Sequence, residues 1–215
     1  MKGFINREDF KKYVKSGMRI MVGGFLSNGS PDYLIDAILE TDVKDLTIIC
    51  NDGGFEDKGV GKLIVAHRVK TLIASHIGTN PTAGVQMQEG MLNVVLVPQG
   101  TLVEQIRADG AGLGGILTPT GLNTIVQDGK TVITVKGKDY LLEEPMHADL
   151  ALLGGAIADK FGNLRYRKTM RNFNPIMATA ADLVIASVSE VVEAIDPECV
   201  ITQYPLVDFV IKEER

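Results

Sequence analysis

Short apolar segments alternate with segments of helical periodicity through the first half of this 215-residue chain. The apolar segments at residues 18–22, 46–50, 69–75 and 92–97 are predicted to be buried strands. A chain that places one helix between successive strands forms right-handed βαβ units, and the strands then pair in parallel. The alternation therefore predicts an α/β fold with an open, mostly parallel sheet flanked by helices.

The predicted helices in this region begin at residues that favour helix starts. Asn6 is predicted to cap a helix that runs to about residue 15, and Ser30 is predicted to cap another, with Pro31 at its first position. Further helices are predicted between the later strands, at residues 59–66, 81–89 and 101–108. These helices supply the connections that a parallel sheet requires.

The second half of the chain shows a more mixed pattern. Residues 131–135 and 139–142 are predicted to form a β-hairpin around Lys136-Gly137-Lys138. Further strands are predicted at residues 149–153, 183–186 and 207–211, with a short helix that ends at 178–181. No internal repeat or linker is apparent, so we expect residues 1–215 to form one domain with a small antiparallel hairpin insertion.

Charge and composition narrow the classes of partner and compartment. The net charge of −5 argues against nucleic acid or an anionic membrane as a partner. The N-terminus lacks the apolar stretch of a signal peptide, and no apolar run reaches the length of a membrane span. Cys50 and Cys199 form no C-x-x-C pair and the histidines lack metal-ligand spacing. We therefore predict a cytoplasmic protein without a metal site.

A glycine-rich loop joins the first of these strands to the Ser30-Pro31 helix and is the candidate binding segment. It consists of Gly23, Gly24, Phe25, Leu26, Ser27, Asn28 and Gly29. Ligands of open α/β sheets bind at the carboxyl ends of strands, where the following helix offers unpaired N–H groups. Asp32 partly cancels the positive field of that helix, which favours a neutral or thioester group over a bare phosphate. A tight turn without a ligand explains the same spacing equally well.

A second glycine cluster, at residues 110–115, matches the letters of G-x-G-x-x-G. A dinucleotide-binding fingerprint must follow a strand and open a helix. Here a predicted helix precedes the cluster, and residues 116–121 after it do not begin a helix. We therefore reject a dinucleotide site, and a loop that packs beside a ligand or a partner stays open.

The segment at residues 18–31 resembles the first signature of family I coenzyme A (CoA) transferases, whose core is G-G-F-x-x-x-G-x-P. Further matches cover nearly the whole chain and lie at residues 73–81, 98–107, 112–121, 171–175 and 178–181. The resemblance is to the A (alpha) subunits of acetate/butyrate–acetoacetate CoA transferases. Ser16 stands where the signature usually has Asp or Asn, and residues 201–205 lack the expected Thr-Pro-Gly.

The resemblance implies a fold of the CoA-transferase/sugar-phosphate-isomerase kind and an A2B2 assembly with a B subunit. It implies transfer of CoA from a short-chain acyl-CoA (acetyl-, butyryl- or acetoacetyl-CoA) to a short-chain carboxylic acid through a glutamyl-CoA thioester. CoA is then a substrate, and no cofactor is bound tightly. The family's nucleophilic glutamate lies in an S-E-N-G motif of the B subunit, and Ser189-Glu190-Val191-Val192 does not match that motif. We therefore expect no catalytic residue here, activity only with the B subunit, and CoA binding by residues 23–29.

Other charged residues have alternative interpretations. Glu104 lies on a predicted amphipathic helix and is an alternative site carboxylate, whereas Glu190 is expected to be an exposed helical residue. A basic run is expected to be a solvated or interface face, with a role at CoA phosphates as the alternative, and consists of Arg165, Arg167, Lys168 and Arg171. Two other functions stay open, a stand-alone sugar-phosphate isomerase-like enzyme and a non-catalytic domain that binds CoA or a phosphosugar.

Overall fold

Parallel β-strands dominate the computed structural model, which describes residues 2–214. The strands are β1 (Gly3–Phe4), β2 (Arg19–Val22), β3 (Leu46–Ile49), β4 (Val69–Ala74), β5 (Asn93–Leu96), β6 (Ile116–Thr118), β7 (Val132–Val135), β8 (Lys138–Glu143), β9 (Ala148–Asp159), β10 (Leu164–Arg165), β11 (Ala181–Val192) and β12 (Phe209–Lys212). The α-helices are α1 (Arg7–Lys11), α2 (Asp32–Leu39), α3 (Gly61–Val65), α4 (Pro81–Gln88), α5 (Gln99–Gly110) and α6 (Asn174–Met177). Short 3-10 turns lie at Ile125–Gln127, Lys168–Met170, Pro197–Cys199 and Tyr204–Leu206.

One large sheet contains nine strands of the described chain. Eight of them pair in parallel in the order β1-β12-β11-β9-β2-β3-β4-β5, and β10 pairs antiparallel with β9. The predicted open, mostly parallel sheet is therefore confirmed. The strands β9 and β11 are longer than predicted, with 12 residues each, because they continue to pair from Ala148 with Ala181 as far as Asp159 with Val192.

Side chains of the central strands alternate between two faces, and each face buries a layer of helices. On β2, Ile20 and Val22 belong to the core cluster that includes α1, α2, α3 and α4, whereas Met21 belongs to the cluster that includes α5 and α6. Ile48 and Ile49 on β3 divide between the clusters in the same way. Strands buried on both faces are continuously apolar, which is why the sequence predicts them well.

A small antiparallel sheet of order β6-β8-β7 lies between α5 and β9 in the chain. The predicted hairpin is confirmed as β7 and β8, which turn at Lys136 and Gly137 with positive φ. The third strand, β6, was not predicted, because its three residues are too short for a periodic pattern. The buried carboxylate of Glu143 accepts hydrogen bonds from Lys130 Nζ at 2.6 Å and from Gln105 Nε2 of α5 at 3.1 Å. This carboxylate connects the small sheet to α5.

Two helix starts test the predicted capping. Asn6 caps α1, since its Oδ1 accepts the Asp9 N–H at 2.8 Å, but the helix ends at Lys11 rather than near residue 15. The predicted cap by Ser30 is wrong. Pro31 occupies the N-cap position of α2, and Ser30 Oγ has no hydrogen-bond partner among the described residues. The Ser30 hydroxyl lies beside Gly59 instead.

Candidate functional site at two paired glycine loops

The glycine loop at residues 23–29, called the first loop below, leaves the carboxyl end of β2. The strand β2 pairs with β3 on one side and with β9 on the other. The Gly23 N–H donates to Leu152 O on β9 at 3.0 Å, so the loop begins as an extension of the ladder. The loop therefore lies where ligands of open parallel sheets bind.

A two-residue hairpin forms the tip of the first loop. Phe25 N–H and Asn28 O lie 3.1 Å apart, and Asn28 N–H and Phe25 O lie 2.9 Å apart. The central residues Leu26 and Ser27 have φ of 46° and 63°, the signs of a type I′ turn, which favours Asn and Gly. A left-handed backbone costs a non-glycine residue of order 1–3 kcal/mol. The side chains of Phe25, Leu26 and Asn28 are exposed at this tip.

The buried glycines of the first loop permit close packing of the chain on itself. A Cβ at Gly23 would lie 1.8 Å from Asn174 Oδ1, and a Cβ at Gly29 would lie 2.9 Å from Met170 Cα. Asn174 Nδ2 donates to Gly29 O and Met170 O, and its Oδ1 accepts the Gly154 N–H, all at 3.0 Å. Internal packing thus already requires glycine at both positions, and the exposed tip is the part available to a ligand.

The exit of β3 repeats the pattern of the first loop. Residues 53–59, called the second loop, read G-G-F-x-x-x-G like residues 23–29, and both loops close with the same antiparallel bridge. A Cβ at Gly59 would lie 3.0 Å from Ser27 Oγ, so the two loops touch. The expectation of no internal repeat is therefore wrong at this small scale. Four shared letters within seven residues are too few to stand out in the sequence.

The buried carboxylate of Asp52 joins the two loops. Its Oδ2 accepts the Leu26 N–H of the first loop at 2.9 Å and Asn51 Nδ2 at 2.7 Å. Its Oδ1 accepts the Gly54 N–H of the second loop at 2.9 Å. Because the carboxylate accepts three N–H groups, it holds the positions of both loops and is not a free nucleophile.

Asp32 also connects the loops, through the start of α2. Its Oδ1 accepts the Gly59 N–H at 2.9 Å and lies 3.0 Å from Lys62 Nζ. Lys62 pairs with Asp36 as well. Because one ammonium group is shared between two carboxylates, this helix start keeps a net negative charge. The preference for a neutral or thioester group over a bare phosphate therefore stays a prediction.

A cavity of about 10 Å³ separates the paired loops, a volume that suits about one water molecule. The hydroxyls of Ser27 and Ser30 have no hydrogen-bond partner among the described residues, and both lie near Gly59. Cys50 also lines this cavity. Burial raises the pKa of its thiol, and its Sγ donates to Asp52 O at 3.1 Å. Cys50 is therefore a neutral thiol near neutral pH.

Polar side chains from neighbouring strand ends meet beside the loops. Asn51 Oδ1 accepts Gln99 Nε2 at 2.8 Å, and Asn51 O accepts Ser75 Oγ at 2.7 Å. Gln99 begins α5 and is exposed. Neither Asn51 nor Gln99 belongs to the binding segment predicted from the sequence. The available signal was position, because Asn51 and Gln99 follow predicted strands within two residues.

The two glutamates considered in the sequence both lie in ion pairs. Glu104 Oε2 is 3.0 Å from Arg107 Nε, and Glu190 Oε2 is 3.2 Å from Arg167. Glu190 is exposed, as expected, but it lies on β11, so its helical assignment is wrong. The continued pairing of β11 with β9 past the sheet core extends this strand through Glu190.

The second glycine cluster, at residues 110–115, begins at the last residue of α5, Gly110, and leads into β6. The helix predicted before this cluster is therefore confirmed.

Within residues 2–214, no group of three or more His, Cys, Asp or Glu side chains is arranged to hold a metal ion. In the same part of the chain, no helix is both long and apolar enough to cross a membrane.

Comparison with known proteins places this chain among the alpha subunits of one family. The family model for coenzyme A transferase matches residues 7–213. The acetate CoA-transferase subunit alpha of Escherichia coli (strain K12) is 50% identical over 210 residues, which cover 97% of this chain and 96% of that protein. The acetoacetyl-CoA:acetate/butyrate CoA transferase alpha subunit of Clostridium acetobutylicum is 47% identical over 211 residues, 97% of each chain.

A solved structure supports the same fold. The acyl-CoA transferase from E. coli O157:H7, in a thioester complex with CoA, superposes with a TM-score of 0.88 at 21% identity. The match covers 98% of this chain and 47% of that chain, so the present chain corresponds to about half of the larger protein. The paired glycine loops, the parallel sheet and the two alpha-subunit relatives agree, and the chain belongs to the coenzyme A transferase family.

Proposed function

We propose that this chain is the alpha subunit of a cytoplasmic CoA-transferase that moves CoA between a short-chain acyl-CoA and a short-chain carboxylic acid. Relatives named for acetate, butyrate and acetoacetyl-CoA support acetyl-, butyryl- or acetoacetyl-CoA as the donor. Residues 1–215 act as one domain in an A2B2 assembly with a beta subunit. CoA is a substrate of this assembly and not a tightly bound cofactor.

The proposed reaction begins when a glutamate carboxylate of the beta subunit attacks the thioester carbonyl carbon. The carbon–sulfur bond breaks, which gives an acyl-glutamyl anhydride and the CoA thiolate. The thiolate attacks the glutamyl carbonyl, releases the first acid as its carboxylate and leaves a glutamyl-CoA thioester. The acceptor carboxylate then attacks this thioester, and the same two steps in reverse deliver CoA to the acceptor.

The observation that carries this proposal concerns the groups between the paired loops, apart from the exposed carboxylates of Glu56 and Asp57 at the tip of the second loop. Asp52 is buried under three N–H groups, and Asp32 is ion-paired. The Cys50 thiol has a raised pKa, and the hydroxyls of Ser27 and Ser30 have no base beside them. None of these groups is a free nucleophile, which supports a glutamate of the beta subunit as the attacking group.

The first loop is the proposed CoA-contacting segment, through Gly23, Gly24, Phe25, Leu26, Ser27, Asn28 and Gly29. Phe25 and Leu26 expose 43% and 40% of their surface at the tip. Their apolar surface suits the methyl and methylene groups of the pantetheine arm. Gly23 and Gly29 contribute by allowing the tight packing that holds the tip in place.

Co-expression with the beta subunit tests the proposal. We expect no CoA exchange between acetyl-CoA and acetoacetate or butyrate with the alpha chain alone, and exchange with both chains. Mass spectrometry of the assembled enzyme with acyl-CoA should find the CoA adduct on a beta-subunit glutamate. Exchange catalysed by the alpha chain alone, or an adduct on this chain, contradicts the proposal.

A loop variant with a matched control tests the binding segment. Phe25→Ser should raise the KM for acyl-CoA about tenfold, because it removes one apolar contact. Met91→Ser is the control, since Met91 is 50% exposed but precedes β5 at the opposite edge of the sheet. Equal kinetics for the two variants would remove the first loop from the CoA site.

A further inference from the structure

Cationic side chains gather beside the first loop, although the whole chain carries a net charge of −5. The segment at residues 165–171, called the basic segment, contains no acidic residue. Its four cations are Arg165, Arg167, Lys168 and Arg171. The basic segment connects β10 to α6 and includes the 3-10 turn Lys168–Met170. A local excess of positive charge on an acidic protein indicates an anionic ligand or partner.

A surface cleft of about 310 Å³ opens between α5 and the end of the basic segment. Two guanidinium groups line it, Arg107 from α5 and Arg171 from the basic segment, together with the amide of Asn172. The apolar part of its lining consists of Val103, Pro175 and Ile176. Planar guanidinium groups bind phosphate oxygens through paired hydrogen bonds. The cleft therefore has the donors of a phosphate site beside a small apolar surface.

Arg171 is the uncompensated charge of this cleft. Arg107 Nε donates to Glu104 at 3.0 Å, and Arg167 donates to Glu190 at 3.2 Å, so both carry a nearby carboxylate. Within residues 2–214, Arg171 forms no ion pair or hydrogen bond through its side chain. It is also exposed. Its charge is therefore available to an anion from outside the chain.

Direct hydrogen bonds connect the cleft to the first loop. Asn172 Nδ2 donates to Asn28 O at the loop tip and to Thr169 O in the basic segment, both at 2.8 Å. The Asn28 side chain bonds to Thr169 in return. Asn174, two residues further on, donates to Gly29 O at 3.0 Å. Asn172, which lines the cleft next to Arg171, therefore contacts the loop tip directly.

We propose that the cleft between Arg107 and Arg171 binds the phosphate groups of the 3′-phospho-ADP part of CoA. The inference rests on the proposed function, since it takes the donor to be a CoA thioester. CoA carries its thioester and its phosphates at opposite ends of the pantetheine arm. An enzyme that holds the pantetheine arm at the first loop must place the phosphates beyond the far end of that arm. Binding energy at the phosphates then orients the reacting end.

Steady-state kinetics of the assembled alpha–beta enzyme test this site with two donors, acyl-CoA and the matching S-acyl-pantetheine, which lacks all phosphates. Arg171→Ala should raise the KM for acyl-CoA about tenfold with little change in kcat. Its kcat/KM for S-acyl-pantetheine should equal that of the wild type. Lys70→Ala is the matched control, because Lys70 is an exposed cation near the amino end of β4.

Two outcomes would overturn the assignment: an unchanged KM for acyl-CoA in Arg171→Ala, or equal losses with both donors, which indicate a structural or subunit contact. If Arg171→Ala does not assemble with the beta subunit, the dependence of KM on ionic strength in the wild-type enzyme tests the site. Its KM for acyl-CoA must rise more steeply with ionic strength than its KM for S-acyl-pantetheine, and equal slopes reject the site. If the wild-type enzyme catalyses no CoA exchange, the proposed function is wrong. If it does and Arg171→Ala leaves the KM for acyl-CoA unchanged, only the phosphate site is wrong.

Discussion

Single positions in the paired loops satisfy two constraints at once. Gly29 has φ of 76°, and a side chain there would meet Met170 Cα at 2.9 Å. Asp52 accepts one N–H from each loop. Gly29 and Asp52 thus hold the backbone in place, whereas the Phe25 side chain is exposed at the tip. This separation lets stability and ligand binding be tested at different residues.

At this scale we predict that Gly29→Ala lowers the free energy of unfolding more than Gly90→Ala does. Gly29 and Gly90 have similar φ, 76° and 71°, so alanine brings a similar backbone cost of about 1–2 kcal/mol at each. Only Gly29 lacks space, since nothing lies within 4 Å of a Cβ at Gly90. Overpacking should add about 1–3 kcal/mol at Gly29. Chemical denaturation measures the difference, and equal losses would show that the loop relaxes away from Met170.

At the scale of secondary-structure elements, buried polar side chains connect one element to another through hydrogen bonds. The small antiparallel sheet is an example, because its contact with α5 includes the carboxylate of Glu143, which is 3% exposed. Lys130 and Gln105 are its two hydrogen-bond partners. Removal of one partner leaves a buried charge with incomplete compensation.

We therefore predict that Lys130→Ala loosens the small sheet by about 1–3 kcal/mol. Amide hydrogen exchange in β6 and β8 should accelerate, while exchange in β3 and β4 stays at the wild-type rate. Lys138→Ala is the control, because Lys138 is exposed and belongs to the same hairpin. Adding Glu143→Gln to Lys130→Ala should recover part of the loss. Equal acceleration in the control would argue against a role for the buried carboxylate.

At the scale of the whole molecule, the carboxyl ends and the amino ends of the parallel strands carry different groups. The carboxyl edge carries the paired loops, whereas His147 joins two elements at the amino edge. Its Nδ1 lies 2.7 Å from Asp109 Oδ2 at the end of α5, and its Nε2 lies 3.2 Å from Asp182 Oδ1 at the start of β11. The hydrogen bond with Asp109 raises the pKa of this imidazole against the opposing effect of burial.

This raised pKa predicts a pH-dependent stability. A group with a raised pKa in the folded state stabilises the fold fully below its unfolded-state pKa of about 6.5 and loses that effect as pH rises through the folded-state value. Because the His147–Asp109 pair is partly exposed, the free energy of unfolding should fall by only about 0.5 kcal/mol as pH rises from about 6.5 through the folded-state pKa. His147→Gln should remove the fall and leave CoA exchange by the assembled enzyme unchanged. A fall that persists in His147→Gln would belong to another group.

Local sequence patterns accounted for the strands of the sheet centre and for the first loop. Buried parallel strands are continuous apolar runs, and Asn6 needed only its own helix start to act as a cap. The cap predicted at Ser30 failed because Pro31 takes the N-cap position and the Ser30 hydroxyl lies beside Gly59 of the second loop. The short strands β1, β6 and β10 escaped prediction because two or three residues are too few to show a periodic pattern.

The sequence by itself determined the parallel sheet, the position of the first loop and, through its resemblance, the family. Only the tertiary structure decided that the second loop packs against the first, that Gly23 and Gly29 serve internal packing, and that Arg107 and Arg171 line one cleft. The physical reason is distance along the chain. Strand and cap patterns act over a few residues, whereas these contacts join segments that meet only after strand order and helix layers are set.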